Sequence, residues 1–241
     1  MKKQMQYNDS RESPNGVTRR HFVKIAGITA VGVSSIGFSD FLAKGVTIIL
    51  DPSDIIAGSA PSLWAAKELE DSLTSKGIII TRIDQLSKTK ADDLIILVAG
   101  ASSKSCLEIL KSTGINIPAV PEALGLVPSK VNGKQVLLTC GHDTRGLVYA
   151  LLELNDRVQN SGQALDSLKI EKPVIEKPAN KIRSLNRLFV SDIEDKPWYN
   201  DREMWPKYLT MATTQRFNRF NLSFGIAVSY THLTLPTIYS V

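Results

Sequence analysis

Three carboxylates crowd one short stretch of this chain: Asp192, Glu194 and Asp195 in "VSDIEDKPWYN". Paired carboxylates can serve as acid and base, provided their environments push their pKa values apart. Here all three fall in one polar loop, which reads as a solvated acidic turn. His142 beside Asp143 is the other tempting pair, a base with an orienting acid. A working base needs a reacting partner in a cleft, and His142 sits at a strand-to-helix turn with no second histidine in the folded part. It reads as structural, and Arg145 and Gly146 after it read as turn and cap residues. "GASSKS" (Gly100–Ser105) lacks the Gly-x-x-x-x-Gly-Lys-Ser/Thr spacing of a phosphate loop and reads as a helix entry. Neither a metal-ligand cluster nor a cofactor motif is present. Cys106 and Cys140 read as two buried, unpaired thiols, since free Cys packs as a small apolar residue.

Those residues must be positioned by a chain of 241 residues, 43% apolar and 22% charged, enough for one large domain or two small ones. The net charge of +5 is uneven: residues 1–44 contribute +4 of it and the remaining 197 only +1. A nucleic-acid surface needs clustered Lys and Arg on the folded part, so that class of partner is excluded. Within residues 1–44, "TRRHFVKIAG" (Thr18–Gly27) precedes a short apolar run, Ile25 to Phe38. That order of a basic and an apolar region is a secretory signal. The paired arginines with Phe22 and Lys24 resemble a twin-arginine signal, with Val23 where Leu is usual. The resemblance implies export through the twin-arginine machinery to the periplasm or beyond. About fourteen apolar residues fall short of the ~20 that span a bilayer, so no permanent membrane span is expected.

Residues 45–172 alternate strand and helix signals. "VTIIL", "IIITRI" and "LIILVAG" are β-branched or continuous apolar runs. Between the first two, Ser59 can cap a helix with Pro61 in its first turn, presenting Leu63, Ala66, Leu69 and Leu73 on one face and ending at Gly77. Ser102 or Ser103 caps a second helix carrying Cys106, Leu107, Ile109 and Leu110. Asn132-Gly133 marks a hairpin between Ala123–Val127 and Val131–Cys140. Asp143 or Thr144 then caps a helix whose buried side is Leu147, Leu151, Leu154 and Val158. The order fits a small mixed-sheet α/β sandwich. Residues 173–181 read as a linker or an edge segment, the stretch "EKPVIEKPAN" (Glu171–Asn180) carrying two Lys-Pro pairs. Residues 182–227 read as strand, loop, amphipathic helix and strand, the βαβ unit that opens a parallel domain.

Gly141, Asp143, Arg145, Gly146, Leu147, Tyr149, Ala150 and Leu151 resemble the helix entry of the small domain preceding the barrel in exo-acting glycoside hydrolases, β-N-acetylhexosaminidases and α-glucuronidases among them. "IR…N" and "MWPKYL…RFN…NL" are similar to the start of their catalytic (β/α)₈ barrel. The resemblance implies an α/β accessory domain followed by an incomplete parallel (β/α)₈ barrel, and an exported enzyme that cleaves glycans. It also implies that Arg183 hydrogen-bonds sugar hydroxyls, although the Arg-Gly pair usual there reads Arg183-Ser184. Asn186, Asp192 and Trp198 complete the candidate substrate-binding set, with Tyr199 and Trp205 beside Trp198 able to stack or pack. The acid/base pair of those enzymes lies on middle strands, so no catalytic residue is assigned and this chain is expected to be inactive. Residues 228–241 resemble a translated sequencing-adapter read, and the chain reads as a truncated product. The competing reading is a non-catalytic carbohydrate-binding or cell-envelope module.

Overall fold

A computed structural model describes residues 45–89 and 92–225. The candidate export signal and the adapter-like tail lie outside the described residues. Six strands form one sheet: β1 (Gly45–Leu50), β2 (Ile80–Ile83), β3 (Asp93–Gly100), β4 (Leu124–Val131), β5 (Lys134–Gly141) and β6 (Val174–Glu176), in the order β2-β1-β3-β5-β4-β6. β1 pairs in parallel with β2 and β3, and β3 with β5, whereas β4 is antiparallel to both β5 and β6. The fold is therefore α/β with a mixed sheet.

Helices cover both faces: α1 (Ala60–Ser75) and α3 (Thr144–Gln159) on one, α2 (Lys104–Thr113) on the other. Side chains alternate across a strand, so β3 sends Leu94, Ile96 and Val98 into the α1/α3 core and Ile95, Leu97 and Ala99 into the α2 core. That is why "LIILVAG" is apolar without interruption.

The hairpin turns at Asn132 and Gly133, with φ of 51° and 78°, the pair of positive values that a type I′ turn needs. β4 runs on to Val131, beyond the expected Val127, and tolerates Pro128. β6 pairs with β4 only at Leu124–Leu126, so Pro128 needs no donor on that side. The Pro-containing segment expected as a linker or an edge is thus partly built into the six-stranded sheet, as its edge strand β6.

Two helix faces differ from expectation. Ser59 holds the α1 cap position, but its hydroxyl donates to the Ile56 carbonyl at 2.7 Å rather than accepting from the helix. The buried stripe of α1 is Ala65, Ala66, Leu69 and Leu73, leaving Leu63 exposed. On α2, Ser103 accepts from the Cys106 amide at 3.3 Å, Cys106, Ile109 and Leu110 are buried, and Leu107 is exposed.

After a short helix α4 (Ala164–Ser167) and β6, a second sheet pairs β7 (Ser184–Phe189) in parallel with β8 (Arg219–Phe224). Between them lie α5 (Lys196–Tyr199) and α6 (Met204–Thr214), with Pro206 in the first turn of α6, where its missing donor is harmless. α6 packs against α3.

The turn from β5 into α3 is tight. A Cβ on Gly146 would stand 2.2 Å from the Ala123 carbonyl oxygen, whereas one on Gly162 would meet nothing within 4 Å. Gly146→Ala should lower the urea-unfolding free energy by about 3 kcal/mol, the upper range for overpacking a rigid site, with Gly162→Ala within about 0.5 kcal/mol of the parent.

Candidate functional site

The βαβ unit has two ends, and the named residues divide between them. At the entry to β7 and β8 the centre is Glu122. It follows Pro121 with φ of 66°, unusual for a residue with a side chain. Asp143 holds this conformation: one oxygen accepts from Gly146 N at 2.8 Å, capping α3, and both oxygens reach Glu122 N at 3.1–3.2 Å. The Glu122 side chain is only 5% exposed. Its Oε1 accepts from Asn218 Nδ2 at 2.9 Å and Arg145 Nη1 at 3.2 Å, and its Oε2 from Arg183 Nη2.

All three nitrogens of the Arg183 guanidinium donate here. Its Nε donates to the Arg216 carbonyl at 2.6 Å and its Nη1 to the Asn180 carbonyl at 2.7 Å, and its guanidinium lies 5.8 Å from the Tyr149 ring. Asn218 Oδ1 accepts from the Arg183 amide at 2.9 Å. Arg216, itself at φ 63°, reaches Glu153 on α3 at 3.1 Å and Glu176 on β6. Arg183, expected to hydrogen-bond sugar hydroxyls, here donates within the protein, in a latch between the two sheets at the N-terminal ends of β7 and β8.

Burial alone would raise the Glu122 pKa. The hydrogen bonds from Asn218 and Arg183, and the Arg183 charge, outweigh it and hold the carboxyl below its ordinary 4.5.

The other candidates lie along and beyond the strands. Leu185, Arg187 and Phe189 alternate with Ser184, Asn186 and Leu188, and Phe220, Leu222 and Phe224 with Arg219, Asn221 and Ser223. The first set packs toward α5 and α6: Phe220 meets Trp205 and Tyr208, and Phe189 meets Trp198 and Tyr199, with ring centroids 5.3–6.0 Å apart. Asn186 therefore lies on the face turned away from the helices. Its Oδ1 accepts from Asn221 Nδ2 at 3.1 Å and Ser223 Oγ at 3.3 Å. The Asn186 amide hydrogens and the Asn221 carbonyl have no partner among the described residues, and both side chains are exposed.

Trp198 is half-buried in the loop after β7. Arg187 stacks 3.8 Å from its ring centre, Trp205 meets its edge at 5.7 Å, and its Nε1 donates to Asp195 at 2.8 Å. Asp195 also accepts from Val190 N and Ser191 N at 2.7 and 2.9 Å. The Val190 bond first, then those from Trp198 and Ser191, keep this carboxyl below its ordinary 3.8. Asp195 organises the loop. Asp192 is exposed, 3.9 Å from Lys196. The structure thus brings Trp198 and Asp192 to one loop, puts Asn186 on the adjoining strand, and sends Arg183 elsewhere. Asn221 and Ser223 escaped the sequence reading because only the parallel register sets them beside Asn186. Glu122 escaped it because its partners are up to 96 positions away. Among the described residues no three His, Cys, Asp or Glu side chains gather as a metal site, and no helix is long and apolar enough to cross a membrane.

No protein-family model and no curated protein matches the chain. Among solved structures it is similar to a GH138 enzyme targeting pectin rhamnogalacturonan II, at 20% identity and a TM-score of 0.49 over 73% of this chain and 18% of that one. It is also similar to a GH115 4-O-methyl-α-glucuronidase with specificity for decorated arabinogalactans (18%, 0.48, 76% and 25%) and to CpGH84D (14%, 0.45, 62% and 23%). The chain spans a quarter or less of the length of these proteins.

Because folding lowers the Glu122 pKa, its contribution to stability is complete above pH 4.5 and is lost as pH falls through the lower, folded value. Glu122→Gln should cost about 2–3 kcal/mol at pH 7 and flatten the loss of stability on acidification. Urea titrations followed by circular dichroism from pH 7 to pH 3 check both.

Proposed function

We propose that this chain is the amino-terminal part of an exported glycoside hydrolase, an accessory domain joined to the first βαβ unit of a (β/α)₈ barrel. In this reading it supplies sugar-binding groups, and the acid/base carboxylates stand on later strands. The observation that carries the reading is the helix-free face of β7–β8. In a barrel that face looks inward, and here it presents the Asn186–Asn221–Ser223 cluster with an amide donor and a carbonyl acceptor unused. Sugar hydroxyls donate and accept, and uncharged amides match both roles without a desolvated charge. The parallel register and the strand order β–α–β suit a barrel entry. Among the described residues β7 and β8 pair only with each other, and further strands of a barrel would cover the edges of their sheet.

The part played by each candidate follows from its place. Asn186 and Asn221 hydrogen-bond the ring hydroxyls. Trp198 lines the rim at the strand C-termini with Tyr199, and Asp192 reaches in from the same loop. Arg183 acts at a distance by holding β7 against the accessory domain. Asp192 and Glu194 share one loop, and Asp192 is neutralised in part by Lys196. They do not form the opposed pair that glycosidic cleavage requires.

Two measurements bear on this reading. Heteronuclear NMR titration of the chain with neutral and acidic oligosaccharides should shift the Asn186 and Asn221 amides, and Asn221→Ala should weaken binding about tenfold. Chromogenic aryl glycosides should meanwhile show no turnover. Shifts confined to other residues, or measurable turnover, would refute the assignment. The N-terminal segment is proposed to direct twin-arginine export. In a bacterial host the chain should then be recovered in the periplasmic fraction, and Arg19→Lys with Arg20→Lys should retain it in the cytoplasm.

A further inference from the structure

The chain contains two Asn-Gly pairs. Asn15-Gly16 lies outside the described residues. Asn132-Gly133 is the tip of the β4–β5 hairpin, and both of its residues are exposed. A Cβ built on Gly133 would meet nothing within 4 Å, so the space beside it is open to water. Among the described residues no carbonyl accepts from the Gly133 amide, and the Asn132 carboxamide has no partner. Asn160, Asn218 and Asn221, by contrast, donate from their carboxamides to neighbouring acceptors. Each of those three also precedes a residue with a side chain.

A backbone nitrogen that follows an asparagine is a latent nucleophile toward its carboxamide. We propose that Asn132 is a site of spontaneous modification, converting to aspartate and isoaspartate in the folded protein, and that the turn itself sets the rate.

The Gly133 nitrogen, once base has taken its proton, attacks Cγ of Asn132. The Cγ–Nδ2 bond breaks, that nitrogen leaves as ammonia, and a five-membered succinimide closes. Water then opens the ring. Cleavage between Cγ and the Gly133 nitrogen gives aspartate. Cleavage at the main-chain carbonyl gives isoaspartate, whose backbone runs through the former side chain. Water is the only co-reactant. Glycine suits the closure because it carries no side chain to crowd the attacking nitrogen.

The turn opposes that attack. Asn132 and Gly133 have φ of 51° and 78°, a type I′ turn, whose first central residue has ψ of about +30°. On an L-residue this places the following nitrogen nearly opposite Cβ across the Cα–C bond, whereas ring closure needs the two on the same side. The tip must therefore open before the nitrogen reaches Cγ. Val131 and Lys134 form the last pair of the ladder, and Lys134 Nζ donates to the Thr89 carbonyl at 3.0 Å and its hydroxyl at 2.6 Å. Isoaspartate adds a backbone atom to this loop, so the Val131–Lys134 pair is lost. The far end of the hairpin, where Leu124 faces Gly141 beside the Glu122 joint, is untouched.

The full chain is incubated at neutral and at mildly alkaline pH, both native and unfolded in guanidinium chloride. The peptide carrying Asn132 is followed by mass spectrometry with electron-transfer fragmentation, which distinguishes aspartate from isoaspartate. Asn15 falls in a separate peptide. In the native chain Asn132 should convert before any other described asparagine, faster at the higher pH, and about tenfold more slowly than in the unfolded chain. Asn132→Gly, which keeps a turn-forming pair, should give no isoaspartate in this peptide. The isoaspartyl form, isolated by anion exchange, should exchange its amide hydrogens faster at residues 130–135 and no faster at 124–127. Asn132 wholly intact in the native chain after the unfolded chain has converted, equal native and unfolded rates, another described asparagine converting first, or unchanged exchange at the tip would each overturn the proposal. The map of the parent chain decides even if the variant does not fold.

Discussion

Glu122 holds a negative charge where water reaches only a twentieth of its side chain, and the two sheets are joined around that charge. Taking a carboxylate out of water costs several kcal/mol unless its lone pairs are filled. Here they are filled from both sides of the junction, by Arg145 of α3 beside the six-stranded sheet and by Arg183 and Asn218 of the β7–β8 segment. Removing either side strands a buried charge. The two sheets are thereby joined by more than the packing of α3 against α6.

The same constraint explains the helix-entry motif. Gly141 and Gly146 are bare because backbone passes where their Cβ atoms would be, the nearest atoms standing at 2.0 and 2.2 Å. Asp143 caps the helix and, with the same carboxylate, holds the amide of Glu122. Arg145 pairs with Glu122 itself. A set of residues that could be mistaken for chemistry is the frame of a joint. The joint sits at the entry ends of β7 and β8, apart from the face that carries Asn186 and Asn221.

Much of the frame was legible in the chain. Asn132-Gly133 signalled a tight hairpin, "LIILVAG" a strand buried on both sides, and Asp143 was one of two cap candidates with Thr144, the structure choosing Asp143. Leu63 shares a helical face by spacing with Ala66, Leu69 and Leu73 and yet is exposed, because spacing gives a stripe only to within a residue or so and the partner surface decides which edge of it is covered. The direction of Arg183 was not legible at all. A guanidinium at the start of a strand can reach either pole, and its acceptors on Glu122, Asn180 and Arg216 exist only once the two sheets meet.

The sequence by itself determined the local elements and the alternation that gives β7 and β8 a helix-covered and an uncovered face, because turn chemistry, capping and side-chain period are properties of a few neighbouring residues. Tertiary structure alone decided which polar residues met: Glu122 with Asn218, and Asn186 with Asn221. Those pairings depend on strand order and register across tens of residues, and the physical reason is that a buried polar group takes whichever partner the packed backbone delivers to it.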